Sequence, residues 1–191
     1  MEGSISDSQI LEGHVELYTE RLRIRPLVEA DWVHFLEINL DVDINRYVRH
    51  PESVAQIREK FDGRLKNWFY ASGDWLTLVI EEISTNEFVG FTGLHCDDVS
   101  VNRAEVGYLL AHSAQGKGYG TESLAAVVDW ASLQFQVHKF VGHCAADNIG
   151  SRRVLEKCGF KLEGILRQHF KIGDDWVDDC AYGLLSTERN C

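Results

Sequence analysis

The 191-residue chain has only two prolines, so it contains no proline-rich linker or array. It has no C-x-x-C pair. Its five cysteines, Cys96, Cys144, Cys158, Cys180 and Cys191, leave an odd one over. That pattern argues against a disulfide framework or a zinc site and for a reduced, cytoplasmic protein. No apolar run approaches the ~18 residues of a membrane helix. The acidic, polar start MEGSISDSQILEGH lacks the layout of a signal peptide, and residues 1–14 read as a loose tail before a single domain over 15–191. Positive charge is also scarce: 19 Lys and Arg against 30 Asp and Glu give a net charge of −11. Broad nucleic-acid binding, which needs a basic face, is thereby excluded, while a cationic or amine substrate is compatible.

What is present is ordinary globular composition with readable periodicity. LYTERLRIRPL reads as a strand ending at Pro26, followed by a helix with Trp32, Phe35, Leu36 and Leu40 on one face. Ser53 and Gln56 form a capping box for a second helix, with Val54, Ile57, Phe61, Leu65 and Trp68 in helical spacing. Three strand-like runs follow, DWLTLVIEE, FVGFTGLHC and AEVGYLLA, the first two joined by the turn-forming ISTNE. Leu124, Val127, Val128, Ala131 and Phe135 mark an amphipathic helix. KFVGHCAA is a strand and IGSRRVLEKC a short helix stopped by Gly159; FKLEGILRQHFKI and DWVDDCAYGLL then form a hairpin turning at Gly173-Asp174. The order β-α-α-β-β-β-α-β-α-β-β predicts a mixed α/β sheet, since a doubly wound nucleotide fold would alternate throughout.

Between a strand and a helix lies AHSAQGKGYGTES, with glycines at 116, 118 and 120. Such a loop exposes backbone N–H groups beside the positive end of a helix, an arrangement that favours an anion. Thr121 offers a hydroxyl and Lys117 a flexible positive charge. The spacing fits neither the P-loop nor the Rossmann fingerprint. As a bare pattern it serves equally as a turn.

Four segments in order carry a resemblance. Q-x-x-G-x-G at Gln115, Gly118 and Gly120, DNIGSRRVLEKCGFKLEG, the opening TERLRIRPLVEAD and the closing GDDWVDD resemble the RimJ/RimL-like branch of the GNAT superfamily of N-acetyltransferases. The resemblance runs from about Leu17 to Leu185. It implies a GNAT fold: a mostly antiparallel seven-stranded sheet, splayed at the cofactor and flanked by about four helices. It also implies acetyl-CoA as donor, no metal, and an amine acceptor, nominally the N-terminus of a ribosomal or other protein. A small-molecule amine, or an acyl-CoA-binding module without turnover, are the alternatives. Neither nucleic acid nor membrane is an implied partner; a homodimer is common in the branch.

Residue by residue, the resemblance places the backbone of Leu109 and Leu110 along the pantetheine arm. It places Gln115, Gly116, Lys117, Gly118, Tyr119, Gly120 and Thr121 around the pyrophosphate, and Asn148 on the arm, where it also suits a helix cap. Acetyl transfer to an amine requires a neutral nucleophile, a donor for the oxyanion and a proton or hydrogen bond for the leaving thiolate. An α-amino group with pKa near 8 asks less of a base than lysine at about 10.4. Glu105, interrupting an apolar strand, is the leading base; an ordinary surface pair with Arg103 is the alternative. Ser151 is the candidate acid, because the position four residues on, a tyrosine in many superfamily members, is Leu155 here. Some RimL-type enzymes carry an acidic base early in the sixth strand; this chain has Arg167-Gln168-His169-Phe170, leaving His169 as the substitute. HCDD at 95–98 and HC at 143–144 lack zinc-site spacing. No partner that would activate Cys144 is identifiable, so direct attack is favoured.

Overall fold

A computed structural model describes residues 15–189; the segment 1–14, read above as a tail, and Cys191 lie outside the described residues. The opening run makes two strands rather than one. Thr19 N–H donates to the Leu22 carbonyl at 2.9 Å, a turn that separates β1 (Leu17–Tyr18) from β2 (Leu22–Pro26). The helix expected next forms over the span read for it, and a short second helix follows it. Asp41 ends α1 (Trp32–Leu40) and caps α2 (Val42–Asn45) by accepting from Ile44 N–H at 2.9 Å.

The capping box forms as read. Ser53 N–H donates to Gln56 Oε1 at 2.9 Å and Gln56 N–H to Ser53 Oγ at 3.3 Å, starting α3 (Val54–Arg64). Ile57 and Phe61 are its buried residues. Trp68 lies beyond the helix, its indole donating to the Asp74 carbonyl at 2.7 Å.

The remaining elements are β3 (Leu76–Glu82), β4 (Phe88–Asp98), β5 (Arg103–Leu110), α4 (Tyr119–Phe135), β6 (Lys139–Ala145), α5 (Ile149–Lys157), β7 (Lys161–Ile172) and β8 (Asp175–Leu185). One eight-stranded sheet runs β1-β2-β3-β4-β5-β6-β8-β7. It has one strand more than the reading expected, because of β1, and there are five helices because of α2. Every neighbouring pair is antiparallel except β5–β6, the pair joined by the α4 crossover.

Alternation divides the core between two faces. Leu78, Ile80, Ala104, Val106 and Phe140 pack with α4 and α5, while Val79 and Phe91 pack with Phe35 of α1 and Phe61 of α3. In α4 the periodic Leu124, Val127, Val128 and Ala131 are buried, each of the three larger ones contributing about 1.5–3 kcal/mol. At the end of α5, Phe160 N–H donates to Leu155 O at 3.0 Å and Gly159 adopts φ 89°, a helix stop that glycine tolerates without strain.

The sheet is not continuous. The parallel ladder holds only at Arg103–Lys139, Ala104–Phe140 and Glu105–Val141. Beyond it β5 stays with β4 to Leu110, while β6 stays with β8 to Ala145. A gap opens between them, floored by those three rungs.

Candidate active site

A cleft of about 950 Å³ passes along this gap, lined from β5, β6, β8, the loop at Gln115–Gly116, the start of α5 and the α1–α3 region. Side chains reach it from both faces of the sheet. Tyr108 follows Ala104 and Val106 on the α4/α5 face; Glu105, Gly107 and Leu109 lie on the α1/α3 face.

The backbone of β5 alternates too. Ala111 N–H donates to Val89 O at 3.0 Å, and the Leu109 carbonyl lies against Gly90, so these groups face β4. Val106, Tyr108 and Leu110 therefore turn their N–H and C=O toward the gap, where an extended chain can add as a strand. Of the two leucines read from the sequence, Leu110 offers its backbone to the gap; its carbonyl accepts from Gln115 Nε2 at 3.2 Å.

On the α4/α5 face, Gly116 and Gly118 take φ 76° and 85°, the left-handed region that glycine allows. Gly118 is the N-cap of α4 and offers no side chain to cap it, so the first-turn N–H groups of a 17-residue helix remain directed at the loop. A Cβ on Gly120 would lie 3.2 Å from Leu110 Cδ1 and 3.4 Å from Val154 Cγ2, so α4, β5 and α5 are packed tightly at this glycine. The loop is braced from a distance. Arg21 donates from Nη1 to Lys117 O at 3.1 Å and from Nε to Glu122 at 2.8 Å, and lies over the Tyr119 ring. Tyr119 is buried with its hydroxyl on Glu82 at 2.8 Å, leaving only its backbone for the loop, and Thr121 stands half-buried in the first turn. An anion at the helix terminus and an amide-bearing chain along β5 both fit these residues.

Asn148 caps α5, its Oδ1 accepting from Ser151 N–H at 3.0 Å. That cap holds Ser151 in the first turn, with Ser151 Oγ 2.8 Å from Tyr108 Oη; the phenol also donates to Ser151 O at 3.0 Å. Sequence reading missed Tyr108, whose contact spans 43 residues. Burial raises the Tyr108 phenol above its ordinary value, so it stays a donor at neutral pH. Cys144 lines the same cleft, but burial pushes its thiol up to about 11, which keeps it protonated and unsuited to nucleophilic attack.

On the α1/α3 face, Glu105 Oε2 lies 3.1 Å from His95 Nε2, its register partner on β4. The Trp75 ring packs against His95 at 4.5 Å. Arg103, the expected surface partner of Glu105, pairs instead with Asp97. Val141 is the rung opposite Glu105, so His143, two residues on, shares this face; its Nδ1 is 2.8 Å from the buried carboxylate of Asp179. That hydrogen bond raises the imidazole above its ordinary pKa. His169 is not brought to the cleft. It is exposed on β7 within a register shift between Leu166 and Phe170, where Gln168 has φ 51°, and Phe170 is the residue of this segment that reaches the lining.

At the outer end of the cleft, where Asp43 joins its lining, Asp41, Asp43 and His112 bring ligand atoms within 4.8 Å of one another. A 3.0 Å ion pair joins His112 to Asp41. No helix among the described residues is long and apolar enough to cross a membrane.

Residues 21–161 match the family model of the acetyltransferase (GNAT) domain. An uncharacterized N-acetyltransferase of Bacillus subtilis, YnaD, is 26% identical over 179 residues, 92% of this chain and 100% of the relative. A ribosomal-protein-serine acetyltransferase of Escherichia coli is 31% identical over 100 residues, 52% of this chain and 56% of its own length. Among solved structures, the spermidine N-acetyltransferase from Vibrio cholerae, in complex with CoA and spermine, has a TM-score of 0.78 at 23% identity, covering 89% of this chain and 98% of that one; this likeness is one of fold.

Proposed function

The chain belongs to the GNAT family and is an acetyl-CoA-dependent N-acetyltransferase, and from that premise we propose that it acetylates the N-terminal amine of a protein or peptide by direct attack across the β5–β6 gap. One observation supports the reading: Tyr108 and Ser151 from one face of the sheet, and Glu105, held by His95, from the other, line a single cleft.

Acetyl-CoA supplies an acetyl thioester. The uncapped N-terminus of α4 and the glycines at 116 and 118 hold its pyrophosphate, and the free edge of β5 holds its amide-bearing arm. Glu105, oriented by His95, takes the proton that the amine nitrogen loses as the nitrogen–carbon bond forms. The carbon–sulfur bond breaks on the opposite face, where Ser151, held by its hydrogen bonds with Tyr108, donates a hydrogen bond to the departing sulfur. A thiol has pKa about 8.5, well below a phenol at about 10, so full transfer from Tyr108 is uphill and its contribution is hydrogen bonding. Solvent completes the protonation of the thiolate.

The test is release of free CoA from acetyl-CoA across a panel of N-terminal peptides, lysine side-chain peptides with blocked N-termini, and small amines. The reading expects N-terminal peptides to give the highest kcat/KM. A small amine exceeding every peptide by tenfold or more would overturn it.

A further inference from the structure

The wall of the cleft formed by α3 and the segment after α2 carries four cations: Arg46, which stacks over the Tyr47 ring at 4.6 Å, and Arg49, Lys60 and Arg64, which feel one another's charge. Their neutralisation is incomplete. Glu52 is the one carboxylate bonded to the group among the described residues, pairing with Lys60 and lying 3.6 Å from Arg49 Nη1. Arg49 Nη1 otherwise donates to Asn39 Oδ1 at 2.7 Å. Arg64 makes no ion pair among the described residues: its guanidinium lies 5.6 Å from the Trp75 ring centroid, and its Nη1 is buried without a hydrogen-bond partner. Asp43 on the cleft lining and Asp74 near Arg64 face this wall without bonding to the three.

Burial and mutual repulsion leave their mark. Burial lowers the Arg49 and Lys60 values and brings Arg64 down to about 10, with the Arg49 charge adding to the effect at Lys60 and Arg64. A half-buried cation with an unpaired donor is costly unless a ligand supplies the acceptor.

The opposite wall has the other sign. Glu105, Asp147 and Asp179, the last bonded to His143, line the cleft on the β5, β6 and β8 side, and Asp175 and Asp178 line a smaller hollow that shares Asp147 and Arg46 with it. Trp75 connects the walls: it packs on His95, which holds Glu105, and it lies under the Arg64 guanidinium. A molecule with its amine at Glu105 thus has guanidinium groups within the same cleft for an anionic group further along. The net charge of −11 does not decide this, because charges beyond a screening length of about 8 Å count little beside groups in the cleft.

Resting on the reading that Glu105 receives the amine, we propose that the acceptor is an amine that also bears a carboxylate, which Arg49, Lys60 and Arg64 bind. The guanidinium fork suits a planar carboxylate, and the same cations repel a polyamine entering along this wall. The carboxylate comes from an acidic side chain near a peptide N-terminus or from a free amino acid; the shared chemistry is the same.

The test measures kcat/KM by CoA release on matched acceptors: serine and serinamide; amidated Ser-Asp-Ala and Ser-Asn-Ala peptides; and spermidine. In the wild-type enzyme a carboxylate advantage of about 10- to 100-fold is expected in at least one pair, and the pair that shows it identifies the source. In Arg64→Gln that ratio falls toward one, and Arg64→Lys retains part of it. Ratios within twofold for both wild-type pairs, or spermidine as the best acceptor, overturn the proposal even if no variant folds. Turnover of all the peptides with ratios near one leaves the N-terminal reading intact and removes only the carboxylate; spermidine above every peptide removes both.

Discussion

Replacing Tyr108 by Phe separates hydrogen bonding from packing. The ring remains, but the 2.8 Å contact with Ser151 Oγ and the 3.0 Å donation to Ser151 O are lost. One such net interaction is worth about 1 kcal/mol of stability, or a fall of about 2–4 °C in Tm for a chain of this length. The effect on rate is larger if these hydroxyls meet charge developing on sulfur. Loss of one such donor costs about 10²–10³-fold where it contacts the charge directly, and about tenfold is reasonable where it acts through Ser151. We therefore expect Tyr108→Phe and Ser151→Ala each to lower kcat by about 10- to 100-fold, with KM for acetyl-CoA changing less than about threefold. The two hydroxyls act as one unit, so the double variant should be no slower than the slower single one. The assay is CoA thiol release at saturating acetyl-CoA, with a thermal melt for each variant. Single variants within twofold of wild type, or a double variant whose losses multiply, would refute the paired role.

Two further outcomes follow from the loop and from His143. Gly118→Val forces a β-branched residue to φ 85° and sets a side chain 3.4 Å from Arg21 Nη2, so calorimetry should show acetyl-CoA affinity reduced at least tenfold in a folded variant; unchanged affinity would rule out the cradle. The His143 imidazole, raised by its bond to Asp179, should titrate above about 6.5 by NMR and fall toward that value in Asp179→Asn. Its contribution to stability is full below about 6.5 and is lost as pH rises through the raised folded value, so a wild-type advantage over His143→Gln that grows with pH would contradict the assignment.

Much of the scaffold was legible because it rests on local rules. The Ser53–Gln56 box, the α4 stripe through Leu124 and Ala131, and the hairpin turns at ISTNE and Gly173 each depend on residues a few positions apart. Splitting of the first strand rests on a turn in which Thr19 Oγ1 accepts from Leu22 N–H at 2.9 Å, a local threonine signal that the strand pattern overrode in the reading. The gap was foreseen only through the family resemblance, since nothing in the residues of β5 and β6 themselves marks a parallel ladder that stops after three rungs. Pairings such as Tyr108 with Ser151 and Trp75 with His95 arise only when distant strands and helices meet. His169 shows the converse limit: the resemblance made it the substitute for a base early in this strand, but a register shift with a positive φ at Gln168 leaves it exposed.

The central claim, direct attack on acetyl-CoA with Glu105 as base, is tested most directly by kcat/KM against pH for wild type and Glu105→Gln, using an N-terminal peptide acceptor. The amine's own deprotonation near pH 8 raises the rate of both proteins. The variant should lie about 10²–10³-fold below wild type wherever Glu105 is ionised, because the proton it accepts is lost as the bond forms even from a neutral amine. Superimposable profiles would contradict the claim.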